Sequence, residues 1–488
     1  MAIRTTWLCG TLAGALVLAA CTKSETGPIV VSAIGDAPRL VNPNLQRLDP
    51  PSETLLLATA QGLVRFDAAG QIEPALAQSW IVSDDGLRYT FRLSRTNWRN
   101  GSKVTAEQVA SRLRAAASPA SRNPLKPLLG AVQEVVAMTD DVLEISLVGP
   151  RPNFLQLLAQ PEMAIIHEGQ GTGPFHAVQE PGHLELHLPP EEEEEEEPTK
   201  EEEHETGVVL RGERAALAVA RFLEGAADLV TGGTLADLPI ARAGEPRADA
   251  LRLDPAVGLF GLSFGSRKGL TGDADVRRAL SMAIDRAALV SALGIPQLQP
   301  RETLLPAGIA ELPQPAVPAW GASSLPIRRA IAARAIAAAA EGETPTITVA
   351  MRDGPGYRLV FAHLRRDWRA IGVDARPVPA DSKTADLRLI DAVAPADLPS
   401  WYLRQFSCRS SAVCDASADS IMDAARAAPT AEDRQLLLAD VDRTLTELTP
   451  FIPLTAPVRW SLVSPRLTGF RGNAFGRHNL AELIAARR

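Results

Sequence analysis

The chain has 488 residues, which is too many for one hydrophobic core, because single cores stop growing at roughly 250–300 residues. Hydrophobic residues make up 46% and charged residues 22%, a balance that excludes both a disordered chain and one built from membrane-spanning helices. Of the net charge of -8, residues 191–205 carry -10 through eleven Glu and one Lys. The rest of the chain is nearly neutral, which excludes a basic nucleic-acid-binding surface.

The N-terminus has the organisation of an export signal. Arg4 supplies a positive charge, residues 12–18 are apolar, and a small-residue cleavage sequence, Leu-Ala-Ala-Cys, ends at Cys21. The apolar stretch is too short for a membrane-spanning helix. The cleavage sequence resembles the lipobox of bacterial lipoproteins, which implies a signal peptide over 1–20, an acylated Cys21 and a tether over 21–28. An ordinary secretory signal is the alternative interpretation.

Two further cysteines, Cys408 and Cys414, lie close together in the C-terminal part of the chain. Export would bring both into an oxidising compartment, where cysteines at such a short separation commonly close a local loop. We therefore predict a disulfide. A metal-binding pair is the weaker interpretation, since no histidine or second cysteine pair lies near them in the sequence.

The first half of the chain alternates between strand and helix patterns. Its predicted elements are, in order, a strand at 29–34, a helix at 55–63, a hairpin at 80–93 that turns at 83–86, a strand at 142–148 and a helix at 214–224. Thr105 and Gln108 have the spacing of a capping box and predict the start of one more helix.

The second half contains three strongly amphipathic stretches. The predicted helices are one capped by Asp275 with apolar residues from Val276 to Val290, one over 357–371 that ends at Gly372, and one that Thr430 opens and Pro450 ends. Strands separated by helices of this length favour an α/β fold with mixed sheets.

Residues 191–197 are consecutive glutamates, which repel one another and resist burial, so we expect a solvated acidic loop over 189–206. Just before it, His183, Glu185 and His187 share one face of a predicted strand. Imidazole and carboxylate groups suit zinc, nickel or copper, so His183 and His187 are metal-ligand candidates. An exposed strand face without a metal is the favoured interpretation.

Several collinear segments resemble the peptide-binding group (dipeptide and oligopeptide, family 5) of extracellular solute-binding proteins of ABC transporters. The most specific are LAQSW at 76–80 and DGLRYTFRL at 85–93. The others are GTGPF at 171–175, VRRAL at 276–280, AIDR at 283–286, WRAIGV at 368–373, FIPL at 451–454 and SPRLTGF at 464–470. Their common order and spacing, more than any one of them, carry the resemblance.

The resemblance implies an α/β flytrap of the periplasmic-binding-protein type, with two lobes, mixed sheets and an extra subdomain in the first lobe. We expect lobe 1 over residues 29–258, with the subdomain at about 50–165 and the acidic loop at 189–206. Lobe 2 then covers 259–455, and residues 456–488 return to lobe 1.

The function implied is capture of a peptide or peptide-like solute in the cleft between the lobes, followed by delivery to ABC permease subunits. Such a protein works as a monomer, without a cofactor or nucleic acid, on the periplasmic side of a membrane that holds its lipid anchor. Motifs for phosphate loops, nucleophile elbows and metalloprotease helices are absent from the sequence, so we do not expect an enzyme. A metal or metal-chelate binder of the same fold and a non-transport envelope scaffold or chaperone are the alternatives.

In the family an acidic residue after the W..IG strand binds the α-amino group of the ligand. The nearest match makes Asp397 the first candidate and Asp391 the second, with a surface-loop carboxylate as the alternative interpretation of Asp397. Trp401, Tyr402 and Phe175 are candidates for lining the cleft, although Trp401 and Tyr402 also suit packing beneath it. A dipeptide, a longer peptide, an opine-like compound and a non-peptide ligand are all compatible with the sequence.

Overall fold

The computed structural model describes residues 27–189, 207–266 and 268–485. The predicted lipidation site Cys21 and the glutamate run at 191–197 lie outside these residues. None of the helices in the described ranges is both long and apolar enough to cross a bilayer. Strands and helices alternate along the described chain, and the strands form mixed sheets, which confirms the predicted α/β class.

The elements of the described residues are numbered in chain order. The strands are β1 (Ile29–Ile34), β2 (Val64–Phe66), β3 (Ile72–Pro74), β4 (Ala77–Val82), β5 (Arg88–Leu93), β6 (Val132–Ala137), β7 (Val142–Leu147), β8 (His176–Glu180), β9 (His183–His187), β10 (Val208–Glu213), β11 (Leu229–Thr234), β12 (Leu251–Asp254), β13 (Gly258–Phe264), β14 (Thr346–Met351), β15 (Asp374–Pro379), β16 (Leu387–Val393), β17 (Phe451–Thr455) and β18 (Arg459–Val463). The helices are α1 (Pro50–Thr59), α2 (Ala106–Ala117), α3 (Lys126–Leu129), α4 (Phe154–Leu158), α5 (Ala215–Leu223), α6 (Leu238–Ala243), α7 (Ala274–Met282), α8 (Arg286–Leu293), α9 (Leu325–Ala339), α10 (Pro355–Arg369), α11 (Pro399–Arg404), α12 (Ala416–Ala427), α13 (Ala431–Leu448) and α14 (Leu480–Ala485), with 3₁₀ turns at Pro161–Met163 and Leu270–Gly272.

Two large mixed sheets organise the described chain. The first has the strand order β12-β18-β11-β1-β10-β9-β8, in which β1 is parallel to both of its neighbours. The second has the order β15-β14-β16-β13-β17, in which β14 is parallel to β15 and β16 and the remaining pairs are antiparallel. We call the part of the molecule built on the first sheet lobe 1 and the part built on the second sheet lobe 2.

Lobe 1 carries an inserted subdomain between β1 and β8. The subdomain contains the β2-β3 ribbon and a four-stranded sheet of order β4-β5-β7-β6. Its buried apolar side chains, among them Phe91, Trp98 and Val109, form a core of their own. The insertion therefore has its own packing and extends lobe 1 towards lobe 2.

The chain passes from lobe 1 to lobe 2 at residues 255–257 and returns at residues 456–458, and we call these two segments the double connection. The strands on either side of it are paired. β12 pairs with β18 in the first sheet, and β13 pairs with β17 in the second sheet. The two segments consequently run side by side.

Most of the predicted elements are confirmed with small shifts in their ends. Examples are β1, the hairpin of β4 and β5, and the capping box of α2, in which Thr105 Oγ1 accepts from the N–H of Gln108. At α13 the Thr430 side chain accepts from the N–H of Asp433, as expected for an N-cap. Gly372, three residues beyond the end of α10, has the positive φ of 86° that a left-handed helix end requires.

The boundaries of α1 were predicted wrongly. The sequence predicts a helix over 55–63, but the helix begins at Pro50 and ends at Thr59. Proline suits the first helical positions because its missing N–H would have no partner there. Asp49 completes this start, since its Oδ1 accepts from the N–H of Ser52 at 3.0 Å.

The single helix predicted from Val276 to Val290 is two helices. The cap of α7 is Asp273, whose Oδ1 accepts from the N–H of Asp275, so the prediction that Asp275 is the cap is wrong. The helix ends at Met282, and Asp285 caps α8 by accepting from the N–H of Ala288 at 2.9 Å. The apolar periodicity continues across the residues between the two helices, so the pattern does not indicate that the helix is interrupted there.

Asp442 in α13 is a buried carboxylate in the core of lobe 2. Its Oδ2 accepts from the N–H of Ala316 at 2.6 Å, while its Oδ1 has no hydrogen-bond partner among the described residues, and the residue is 1% exposed. Burial raises the pKa of the Asp442 carboxyl to about 6. Folding is therefore opposed once this group ionises.

We predict that this carboxyl makes the protein less stable as pH rises from about 4 to about 6, because the folded state binds its proton more tightly than the unfolded state. Asp442→Asn has no carboxyl to ionise at this position. Between pH 4 and pH 7 the free energy of unfolding should therefore fall by about 3 kcal/mol more in wild type than in Asp442→Asn. Urea unfolding across this pH range measures it. Asp440→Asn, at a side chain that is 43% exposed, is the control and should keep the wild-type profile. Parallel profiles for wild type and Asp442→Asn would contradict the prediction.

Candidate functional site between the lobes

Asp391 lies in β16, next to the junction of the two lobes. Its Oδ2 accepts a hydrogen bond from the Tyr357 hydroxyl at 2.6 Å, and its Oδ1 lies 2.7 Å from Nη1 of Arg459. Tyr357 belongs to α10 of lobe 2, whereas Arg459 is the first residue of β18 in lobe 1. The Asp391 side chain is 4% exposed and the Arg459 side chain 17%. Asp391 is thus half of a buried ion pair that joins the lobes.

Charges continue from this pair across the junction. Burial opposes the charge of Arg352, but Tyr357, Asp391 and Asp237 of lobe 1 raise its pKa overall. Burial, followed by the charge of Asp391, also raises the pKa of Tyr357, which keeps the phenol a hydrogen-bond donor. Burial raises the pKa of Asp237 as well, against a hydrogen bond from Thr234. Acidic and basic side chains therefore alternate across the junction, in the order Asp237 of lobe 1, Arg352 and Asp391 of lobe 2, and Arg459 of lobe 1.

The backbones of the two lobes also approach closely at the start of α10. The N–H of Gly356 donates to the carbonyl oxygen of Ala236 at 3.0 Å. A Cβ at Gly356 would lie 1.8 Å from the carbonyl oxygen of Leu235, which is far inside contact distance. Only glycine permits this contact, so the lobes are held together here by their main chains.

Asp397 is exposed and lies where α4 of lobe 1 meets lobe 2. Both of its carboxylate oxygens accept from the N–H of Ala310, at 3.2 and 3.1 Å. Its backbone contacts lobe 1, because Nδ2 of Asn153 donates to its carbonyl oxygen at 2.6 Å and its N–H donates to Gln156 Oε1. Gln160 adds a hydrogen bond from its Nε2 to the carbonyl oxygen of a neighbouring proline. We call this set of contacts the polar seam.

The three predicted aromatic residues are buried. Trp401 and Tyr402 in α11 are 9% and 1% exposed, and their rings meet edge to face with centroids 4.8 Å apart. Burial raises the pKa of Tyr402, with Arg301 opposing and Asp397 adding to the shift. Phe175 is fully buried in the core of lobe 1, where its N–H donates to the carbonyl oxygen of Ala58. The structure thus groups Asp397 with Trp401 and Tyr402 and keeps Asp391 and Phe175 separate from them.

The histidine and cysteine candidates have ordinary partners. Nε2 of His183 and Nε2 of His187 lie 3.4 and 3.5 Å from the carboxylate oxygens of Glu185 on the strand face predicted for them. In the described ranges no group of three or more His, Cys, Asp or Glu side chains is arranged to hold a metal ion. Cys408 and Cys414 are joined by a disulfide in the loop between α11 and α12.

A small cleft lies between the subdomain of lobe 1 and lobe 2, partly open to solvent and with internal room for only a few water molecules. We call it the arginine cavity, after four lining residues that the sequence did not single out, Arg151, Arg404, Arg426 and Arg434. Each follows or belongs to a different element, and none is part of a motif. No spacing in the sequence groups them. Arg404, Arg426 and Arg434 meet through the packing of α11, α12 and α13 in lobe 2, and the contact between the lobes adds Arg151.

We predict that Asp391 and Arg459 are energetically coupled. A double-mutant cycle of Asp391→Asn and Arg459→Gln, measured by denaturant unfolding, should give a coupling energy of about 2 kcal/mol, because either single change leaves a buried charge without its partner. The matched control is the pair Asp353 and Arg358, whose side chains are 78% and 70% exposed and which should show no measurable coupling. Equal coupling in the two pairs would contradict the prediction.

Comparison with known proteins gives both partial sequence relatives and whole-chain structural relatives. The glutathione-binding protein GsiB of Escherichia coli (strain K12) is 30% identical over 155 residues, which cover 28% of this chain and 30% of that protein. The probable deoxycholate-binding periplasmic protein YgiS of the same strain is 31% identical over 127 residues, covering 22% of this chain and 24% of that protein. The chain therefore aligns with less than a third of these curated relatives.

The structural likeness extends over nearly the whole chain. Haemophilus influenzae OppA in complex with the peptide RPPGFSPFR superposes with a TM-score of 0.79 at 19% identity, covering 94% of this chain and 98% of that one. The murein tripeptide binding protein MppA of Escherichia coli gives a TM-score of 0.78 at 20% identity, covering 93% and 97%. At these identities the likeness establishes the fold, and it confirms the predicted two-lobed architecture.

The family model described as "Bacterial extracellular solute-binding proteins, family 5 Middle" matches residues 71–407. This range includes most of the subdomain, most of lobe 2 and the segment that carries Asp391 and Asp397. Because the match takes in well over half of the chain, the protein belongs to the bacterial extracellular solute-binding proteins of family 5, as the resemblance of its motifs indicated.

Proposed function

We propose that the protein is the substrate-binding lipoprotein of an ABC importer, which captures peptides or peptide-like solutes between its lobes and delivers them to a permease. The observation that carries this proposal is the double connection, residues 255–257 and 456–458, with polar contacts between the lobes outside it. Two short segments side by side permit rotation about one axis. The lobes can then open and close over a solute without unfolding.

A solute favours the closed form only if it contacts both lobes in that form. The polar seam suits this role, because its hydrogen bonds are few and one partner, Asp397, is exposed to solvent. Opening exchanges these bonds for bonds to water at little net cost. In the buried pair of Asp391 and Arg459, Arg459 directly follows the double connection, where rotation displaces the pair least.

Peptide-like solutes are supported by the names of the relatives. GsiB is named for glutathione and MppA for a murein tripeptide, and OppA was solved with a bound peptide. In the proposed complex Asp397 pairs with the α-amino group. Its carboxylate already accepts from the N–H of Ala310, but a carboxylate has about four acceptor sites, so an ammonium group can bind as well.

Native mass spectrometry of the purified protein with a mixture of di- to pentapeptides tests the ligand class. We expect one peptide per protein molecule, at low micromolar concentration or below. An absence of peptide adducts under conditions that keep the protein folded would contradict peptide capture.

With the tightest peptide from that mixture, Asp397→Asn should weaken binding by more than about tenfold in calorimetry. Asparagine keeps an acceptor for the N–H of Ala310 and removes only the charge. The N-acetylated form of the same peptide should bind wild type and variant equally weakly. Asp381→Asn, at another exposed carboxylate of lobe 2, is the matched control. Equal losses for the free and the acetylated peptide would move the amino-group site elsewhere.

The proposed lipid anchor depends on Cys21. In cells fed a clickable fatty acid, the wild-type chain should be labelled and should fractionate with membranes, because two or more acyl chains hold a protein stably in a bilayer. Cys21→Ser should abolish labelling and release the protein into the periplasmic fraction. Cys408→Ser is the control. An absence of labelling in wild type would contradict the lipoprotein proposal, and labelling that persists in Cys21→Ser would exclude Cys21 as the acylated residue.

A further inference from the structure

Helix α6 belongs to lobe 1 by its place in the chain, between β11 and β12, but it packs against lobe 2. Leu238 and Ala241 are 1% and 0% exposed and lie in one apolar cluster with Tyr357 of α10. At its end α6 also packs on α5 of lobe 1, where a Cβ at Gly244 would lie 2.7 Å from Cδ1 of Leu223. The helix is thus packed between the two lobes.

Polar contacts add to this packing. Nη1 and Nη2 of Arg242 in α6 donate to the carbonyl oxygens of Leu293 and Gly294, at 2.7 and 2.9 Å. These carbonyls lie at the end of α8 in lobe 2, where Gly294 has the left-handed φ of 60°. Carbonyls in the last turn of a helix have no partners within the helix, so a guanidinium of lobe 1 completes a helix of lobe 2.

Two glycines bring the main chains of the lobes together beside α6. The N–H of Gly356 donates to the carbonyl oxygen of Ala236, and a Cβ at Gly354 would lie 2.8 Å from the Cβ of Ala236. Because no side chain fits between the two main chains there, a sideways shift of one past the other would produce a clash. We call the packing of α6, Arg242 and these glycines against lobe 2 the α6 contact.

The contact between the subdomain and lobe 2 is of a different kind. In the polar seam, Asn153 and Gln156 form hydrogen bonds with the main chain of Asp397, which is exposed. Arg151 donates to the carbonyl oxygen of Arg426 beside the partly open arginine cavity. Separating the groups of the seam exposes polar atoms that water can bind, whereas separating the α6 contact exposes buried apolar side chains. The seam is therefore the easier side to open.

We propose that the lobes turn about an axis through the double connection and the α6 contact, so that the polar seam parts while the α6 contact stays closed. Trp460, which follows the double connection, donates from Nε1 to the carbonyl oxygen of Thr234 at 2.8 Å, two residues before Ala236. The double connection and the α6 contact consequently lie side by side. The inference rests on the proposed function and deepens it, because it names the side from which a solute enters, between the subdomain and lobe 2.

Double electron–electron resonance on exported protein that carries Cys21→Ser measures the movement on both sides. One pair of spin labels, at Gln133→Cys in β6 and Ala424→Cys in α12, spans the polar seam. The other pair, at Ala248→Cys beyond α6 and Ser291→Cys in α8, spans the α6 contact. All four positions are exposed, so the labels should not disturb the packing.

Without any solute, the combined changes Asn153→Ala and Gln156→Ala should lengthen the seam distance by more than about 2 Å, the scale of a domain rearrangement, and leave the α6 distance unchanged. Both changes remove hydrogen bonds of the polar seam and none of the α6 contact. In the chain without these two changes, saturating peptide should shorten the seam distance and again leave the α6 distance unchanged.

Gly356→Ala tests whether the α6 labels can report a change, because its Cβ would overlap the carbonyl oxygen of Leu235 and should lengthen the α6 distance. Gly130→Ala, whose Cβ would lie 3.6 Å from its nearest neighbour, is the matched control and should alter neither distance. A thermal unfolding curve shows whether each variant folds. Arg242→Gln is the second α6 variant, since it removes bonds to the end of α8 and adds no atom to the contact.

An α6 distance that changes as much as the seam distance, or a seam distance that neither the seam variant nor peptide alters, would overturn the inference. An α6 distance that neither Gly356→Ala nor Arg242→Gln lengthens would also overturn it, since the α6 contact would then not hold the lobes. Failure of the proposed function is distinguishable, because the seam variant is measured without solute. A seam that opens in a protein that binds no peptide supports the axis and contradicts peptide capture.

Discussion

The arrangement of the molecule depends on one topological constraint, the pairing of strands on both sides of the double connection. β12 pairs with β18 in lobe 1, and β13 pairs with β17 in lobe 2, so the chain enters and leaves lobe 2 at neighbouring points. Two separated links would fix the lobes against each other. Two adjacent links leave a rotation about the line through them. The farther a contact between the lobes lies from that line, the more a rotation would displace it.

Close to the double connection the contacts are buried and strong. They include the ion pair of Asp391 and Arg459 and an apolar core in which Trp460 of lobe 1 belongs to the same cluster as Phe260 of lobe 2. Removing one partner of such a pair costs several kcal/mol. The polar seam at Asp397 and the arginine cavity involve the inserted subdomain instead, and part of each is open to solvent. Contacts of this kind cost less free energy to break than the buried contacts do, because water can replace the lost partners.

Local elements could be predicted from the sequence wherever a physical rule acts over a few residues. The capping box at Thr105 and Gln108 and the left-handed Gly372 depend only on their neighbours, and the structure has both. Errors arose where two local rules competed. Pro50 suits a turn and equally the first position of a helix, and Asp273 and Asp275 both precede the same apolar stripe, although only the side chain of Asp273 caps α7.

The contacts between the lobes could not be predicted from the sequence. Asp391 and Asp397 lie in a segment with a recognisable pattern, but the pattern made them ligand-binding candidates and not contacts between the lobes. Their partners Arg459 and Asn153 are 68 and 244 residues away. The partners of the arginine cavity are equally remote, since Arg151 donates to the carbonyl of Arg426 across 275 residues. Periodicity and spacing carry no information at such separations. The fold has to be known before these charges can be grouped.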